Sequence, residues 1–246
     1  MIRTIGQAAR AIDRFGFCLL FPIKGLRLPS LWGALKGKAP FGSAQGRPQG
    51  FCLVAAWDKD AERLWAWKDE LPRKGLAYYG KYFRGKGSLL SLEFLACFYC
   101  LEGNHDTPDE FKRLYREGKI TADAHAICRE LAKRGPQATL ELRYGLGWES
   151  KRGNRRFKRT LLELQQRLLI VHWGTKAETR AWESAVYQLT ARAFPKAVRA
   201  AAKLTPEKAR GRIAARYREH YPRAEPREVA RLFRWTRAQA EEALGG

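Results

Sequence analysis

The sequence predicts an α+β chain, mostly helical, built of tandem winged helix-turn-helix domains, and three observations carry that reading. Residues 121–171 run helix, short helix, basic helix and strand in that order. Residues 205–244 repeat a rhythm of long helix, short helix, tight turn and helix. The chain carries 47 Lys and Arg against 25 Asp and Glu, a formal charge of +22 over 246 residues. Such an excess repels itself unless a polyanion is present, so nucleic acid is the expected partner. The expected division is an aromatic-rich winged-helix-like domain over 1–116, a central winged helix over 117–176, and a C-terminal helix-turn-helix over 177–246 to which no wing strands are assigned.

Ile5, Ala8, Ala9 and Ile12 form a helical stripe at the start of the chain. Residues 15–21, 51–57 and 63–68 read as strands from their aromatic and β-branched content. Residues 29–35 read as a short helix, and residues 36–50 as a loop rich in Gly, Pro, Ser and Gln. The apolar run at 94–101 is expected in the core. In the central part Thr121 caps a helix whose Ala124, Ile127, Cys128 and Leu131 follow i, i+3, i+4, i+7 spacing, and Gly135-Pro136 stops it. A short segment with Leu140 and Leu142 follows and ends at Gly145-Leu-Gly147. Residues 168–171 read as a short buried strand followed by Gly174. Nearer the C-terminus, Thr205 caps a helix with Pro206 at its first position, residues 225–233 give two more turns, and Thr236 caps a last helix carrying Arg237.

The basic helix over 151–167 has two incompatible faces. At about 100° per residue, Phe157, Leu161, Leu164 and Leu168 fall within about 60° of one another, while Arg152, Arg155, Arg159 and Gln166 lie opposite and Arg156 and Arg167 flank them. Seven Lys or Arg stand against one acid, Glu163. A solvated basic face on an ordinary bundle would show the same pattern; the order of the three helices and the strand favours the reading helix of a DNA-binding domain, with Arg152, Arg155, Arg156, Arg159 and Arg167 on phosphates, joined by Arg237 from the C-terminal module.

Residues 64–82 hold the densest mixture of aromatic and charged side chains. Trp67 and Tyr79 are candidates to stack on an unpaired base, Lys68 and Lys81 to meet phosphates, and Asp69 and Glu70 to act as acid or base. Alternatively, Trp65 and Trp67 share one side of a strand and pack into the core, with residues 69–72 as its terminating turn. Adjacent carboxylates point apart, so at most one of Asp69 and Glu70 enters a pocket.

Five cysteines, at 18, 52, 97, 100 and 128, sit among apolar neighbours and read as reduced core thiols. Cys97 and Cys100 have knuckle spacing but lack a second pair, and the four histidines form no ligand signature, so no metal and no cofactor are expected. No apolar run reaches the roughly 18 residues that span a bilayer. The expectation is a cytoplasmic, nucleoid-associated protein with no membrane partner.

Residues 21–22 with 28–32, 65–72, 78–81 and 161–170 resemble those of AlkZ-related proteins, and the likeness extends over most of the chain. These are relatives of bacterial crosslink-repair DNA glycosylases, which are built from tandem winged-helix domains. Those glycosylases use a Gln-x-Asp or Gln-x-Gln pair to direct water; Gln165-Gln166 and Gln188-Leu-Thr190 do not supply it, so no catalytic residue carries over. The resemblance implies binding of duplex DNA, damaged DNA included, with recognition or excision of damaged bases as its function. The alternative is a non-catalytic transcriptional regulator.

Overall fold

The computed structural model describes residues 2–37, 58–104, 109–179 and 182–245. Helix α1 (Ile5–Phe15) opens on a reciprocal cap between Thr4 and Gln7 and stops at Gly16, whose φ of 74° suits glycine. A Cβ there would also lie 2.7 Å from the Phe94 ring. Then come β1 (Phe17–Leu19), α2 (Leu31–Leu35), α3 (Lys59–Arg73), β2 (Tyr78–Gly80), a 3-10 turn (Phe83–Gly85), β3 (Ser88–Leu90), α4 (Leu92–Leu101) and α5 (Glu110–Arg116). The middle of the chain supplies α6 (Ala122–Arg134), β4 (Gln137–Ala138), α7 (Thr139–Gly145), α8 (Lys151–Gln166), β5 (Ile170–Thr179) and β6 (Trp182–Leu189). Five helices finish it: α9 (Thr190–Ala193), α10 (Pro195–Ala201), α11 (Pro206–His220), α12 (Pro226–Phe233) and α13 (Arg237–Leu244). The fold is mostly helical α+β, with two small antiparallel sheets of order β1-β3-β2 and β4-β6-β5.

The first sheet is buried on both faces. Phe17, Leu19, Leu90 and Tyr78 point into a core shared with α4 and α10–α13, whereas Cys18, Leu20, Leu89 and Ala77 point into a second core with α1–α3. Alternating side chains of one strand therefore serve two cores, which is why β1 reads as an unbroken apolar run. Six consecutive residues of α4, from Phe94 to Tyr99, are buried because helices cover it on several sides. A third core joins α5–α8 to β5 and β6 through Ile127, Leu142, Phe157, Leu164 and Tyr187. Cys18, Cys97 and Cys128 are buried free thiols, as is the partly buried Cys100, whose Sγ donates to the Leu204 carbonyl at 3.3 Å. Among the described residues, no helix is long and apolar enough to cross a membrane.

Two expectations are corrected. Residues 63–68 are not a strand but the middle of α3, which Asp58 caps by accepting from the Ala61 N–H at 2.9 Å. The alternation of Leu64, Trp65, Ala66 and Trp67 conceals a helical stripe of Ala61, Leu64, Trp67, Lys68 and Leu71, all buried, while Trp65 is 46% exposed. Residues 69–72 continue that helix and form no strand-ending turn. The strand expected at 168–171 begins at Ile170, since Leu168 has a φ of 57°, and runs on to Thr179 before returning as β6. Lys176 pairs with Ser184 within this hairpin. The expected strand at 51–57, most of the 36–50 loop, Cys52 and His105 lie outside the described residues.

Trp67 is 5% exposed and packs with Leu64, Leu71 and α1 residues in the second core. Trp67→Ala is expected to destabilise the fold by ~3–5 kcal/mol through the cavity it leaves. Denaturant titration checks this; a destabilisation below about 1 kcal/mol would place the ring outside the core.

Candidate nucleic-acid interface

Helix α8 is fastened from its first turn. Ser150 accepts from the Gly153 N–H at 3.0 Å, and Gly153 lies so close to the preceding loop that a Cβ there would be 2.5 Å from the Trp148 carbonyl oxygen. Phe157, Leu161 and Leu164 are buried, and Lys151, Arg152, Arg155, Lys158 and Arg159 are exposed. None of these five cations has an ion-pair partner among the described residues. Arg152, Arg155 and Arg159 take the face opposite the stripe, as the periodicity predicts, and Lys151 and Lys158 stand at its edge.

Arg156 behaves differently. Its guanidinium grips the Asp123 carboxylate of α6 with two nitrogens and lies 4.4 Å from the centre of the Trp148 ring. It braces α8 against α6, and its hydrogen bond holds the Asp123 carboxyl below the usual carboxylate range. A phosphate contact by Arg156 would have to compete with that pair. Arg167, just past α8, is partly buried and lies 4.0 Å from Glu102. Arg237 is exposed and paired with Glu241 at 2.7 Å, on a helix that packs against α11 and α12.

Beside α8 the sheets bring together a polar cluster. Asp69 of α3 accepts from Lys68 Nζ at 2.6 Å and from His172 Nε2 of β5. The His172 ring stands edge-on to Tyr79 and Tyr187, at 5.4 and 5.9 Å. Lys68 is 4% exposed, with Nζ 4.4 Å from the centre of the Trp65 ring. Its charge is directed to Asp69 in the interior. Trp67, buried in the core, presents no face to a base. Glu70 points away and pairs with Lys74 at 2.6 Å, so Asp69 is the carboxylate of the two that enters the cluster. Tyr79 is partly buried against His172, and Lys81 is exposed, its backbone N–H donating to Gln165 Oε1 at 3.1 Å.

Electrostatics fix the protonation of this cluster. Burial pushes the Asp69 carboxyl up, but hydrogen bonds from His172 and Lys68 outweigh it and hold the group below its ordinary range. Burial pushes the His172 imidazole down, and the Asp69 contact offsets this only in part. The pair is therefore carboxylate and neutral imidazole, with Nε2–H donating. His172 escapes sequence reasoning because its partner is 103 residues away and no local spacing marks it.

Both shifts act in the same direction on stability. The unfolded chain binds protons that the folded pair refuses, first at His172 below about pH 6.5 and then at Asp69 near about pH 4, so stability is full above that range and falls on acidification. Denaturation midpoints measured from about pH 7.5 to about pH 5 are expected to decline, and His172→Gln to shrink the decline. An unchanged slope in that variant would remove His172 from the account.

The family model described as AlkZ related matches residues 2–234, nearly the whole chain. No curated protein and no solved structure matched. A single family pattern thus runs from α1 through α12, across all three cores and the exposed cations of α8, and the chain belongs to the AlkZ-related family.

Proposed function

We propose that this protein binds duplex DNA through α8 and recognises damaged bases, as suits a relative of DNA repair glycosylase-like proteins. The observation that carries the reading is the row of exposed cations on α8, opposite a buried apolar stripe. The order α6, α7, α8, β5, β6, with β4 added to β6, supports a winged-helix unit in which α8 enters the major groove and the hairpin is the wing. On this reading the central unit extends to Leu189, between an N-terminal unit ending near residue 116 and a helical unit from Thr190. Residues 205–244 are then a second helix-turn-helix, with Arg237 as an accessory phosphate contact. Localisation to the nucleoid follows from the same affinity.

Asp69 is the candidate catalytic carboxylate, ionised and held by His172 and Lys68, and so able to orient a water. The lack of a Gln-x-Asp or Gln-x-Gln triplet favours a second reading, recognition without cleavage. Incubation with DNA carrying bulky alkyl adducts or interstrand crosslinks, scored for abasic sites, separates the two: cleavage abolished by Asp69→Asn supports hydrolysis, and no cleavage by the parent supports the binder.

Replacing Arg152, Arg155 and Arg159 with Ala is expected to weaken binding to every duplex and to flatten its salt dependence, by about 0.9 in log-log slope for each phosphate the variant no longer neutralises. Thermal stability should hold, because Arg156 and its Asp123 brace are left in place. Parent-like affinity and slope in the triple variant would refute α8 as the DNA-binding helix.

A further inference from the structure

A cavity of about 310 Å³ opens where the end of α4, the outer face of α8 and the turn between α12 and α13 converge. Its size is at the lower end of the roughly 300–1,000 Å³ of small-ligand sites. Arg159, Arg167 and Arg234 line it together with Glu102, Leu162, Gln166 and Glu163, whose carboxylate accepts from the Thr121 N–H at 2.9 Å and the Thr121 hydroxyl at 2.8 Å. Two of these arginines belong to the same basic segment that the DNA reading uses, so the cavity is continuous with the interface.

Glu102 is the unusual member. Its side chain is only 15% exposed, and Oε1 accepts from the Tyr82 hydroxyl at 3.0 Å and from Arg234 Nη2 at 2.9 Å. Oε2 receives no hydrogen bond among the described residues; the Arg167 guanidinium stands 4.0 Å from it. A buried carboxylate thus keeps an open acceptor beside three guanidinium groups. Burial pushes the Glu102 carboxyl above its ordinary range, against the pull of Arg234.

The backbone holds these groups in place at some cost. Arg234 adopts a left-handed φ of 61°, with its guanidinium 5.3 Å from the centre of the Tyr82 ring and a hydrogen bond to the Gln166 carbonyl at 3.3 Å. Leu168, next to Arg167, has a φ of 57°, and Asn104 Nδ2 donates to the Arg167 carbonyl at 2.8 Å. Left-handed backbone at residues other than glycine persists only where its surroundings hold it, and it clusters at functional sites.

We propose that this cavity takes one nucleotide turned out of DNA lying on α8, with Arg159 and Arg167 at its phosphate and Glu102 Oε2 accepting a hydrogen bond from the amino group of the base. The inference rests on the reading of α8 as the DNA-binding helix. A carboxylate accepts from cytosine N4, whereas thymine would present the carbonyl O4 there. Leu162 supplies an apolar wall, and the Arg234 guanidinium a planar surface on which a base can stack.

The test uses the full chain and three otherwise identical duplexes: fully paired, with one unpaired dC, and with one unpaired dT. The parent is expected to prefer the dC bulge over the paired duplex by about tenfold, the scale of one good base contact, and to prefer dC over dT. Arg234→Gly should fold, because glycine adopts the left-handed conformation freely, and should bring the bulge preference close to one while affinity for the paired duplex stays within about twofold. Glu102→Gln should erase the choice of dC over dT. Equal parent affinity for paired and bulged duplexes, or an Arg234→Gly variant of parent melting temperature that keeps the preference, overturns the cavity while α8 stands. If the parent binds none of the three duplexes, the α8 reading fails and the cavity with it.

Discussion

Burial of Phe157, Leu161 and Leu164 sets the direction of every cation on α8. Each such side chain gains about 1.5–3 kcal/mol on leaving water, while two exposed cations about 4 Å apart in water repel by about 1 kcal/mol. Packing therefore wins, and the charges are held outward on one face although they repel each other. That repulsion is screened only in part by salt, so a face of this kind attracts polyanions. Gly153 and the Arg156–Asp123 clasp serve the same end: one brings the helix against the Trp148 loop, the other ties it to α6.

A second constraint joins the parts of the chain. Tyr78 of β2 donates to the carbonyl of Ile170 at 3.0 Å, Gln165 accepts from the Lys81 N–H, and His172 donates to Asp69. These three polar contacts run between the N-terminal sheet with α3 on one side and the α8–β5 junction on the other. Each is buried or partly so, where an unmade bond costs more than a made one gains. Helix α8 is thus held in a fixed relation to the Asp69 cluster.

Local patterns in the sequence are enough to read the helices α1, α6, α8 and α11–α13, because their caps and apolar stripes agree with each other: Thr121 with Ala124 and Ile127, Thr205 with Pro206, Thr236 with Gln239. Helix α3 reads as a strand because Trp65 and Trp67 stand two apart, as on one side of a strand, while a lysine interrupts the helical stripe of Ala61, Leu64, Trp67, Lys68 and Leu71, and aromatic content tips the choice the wrong way. The hairpin reads too short because residues beyond Val171 include Gly174 and Lys176, which break the apolar run, while the pairing resumes past an irregularity between His172 and Gly174. The exposed cations of α8 are legible from periodicity alone. The Asp69–His172 pair and the Glu102–Arg234 contact, 103 and 132 residues apart, are products of the tertiary fold and leave no trace in local spacing.

Lysine acetylation footprinting with and without duplex DNA tests the central claim most directly, since Lys151 and Lys158 stand on the exposed part of α8. The account predicts that bound duplex slows modification of both lysines several-fold, and that raising the salt restores it as cations from solution replace the lysines along the phosphates. If the duplex is bound and Lys151 and Lys158 react at the same rate as in the free protein, α8 is not the interface and the account is contradicted.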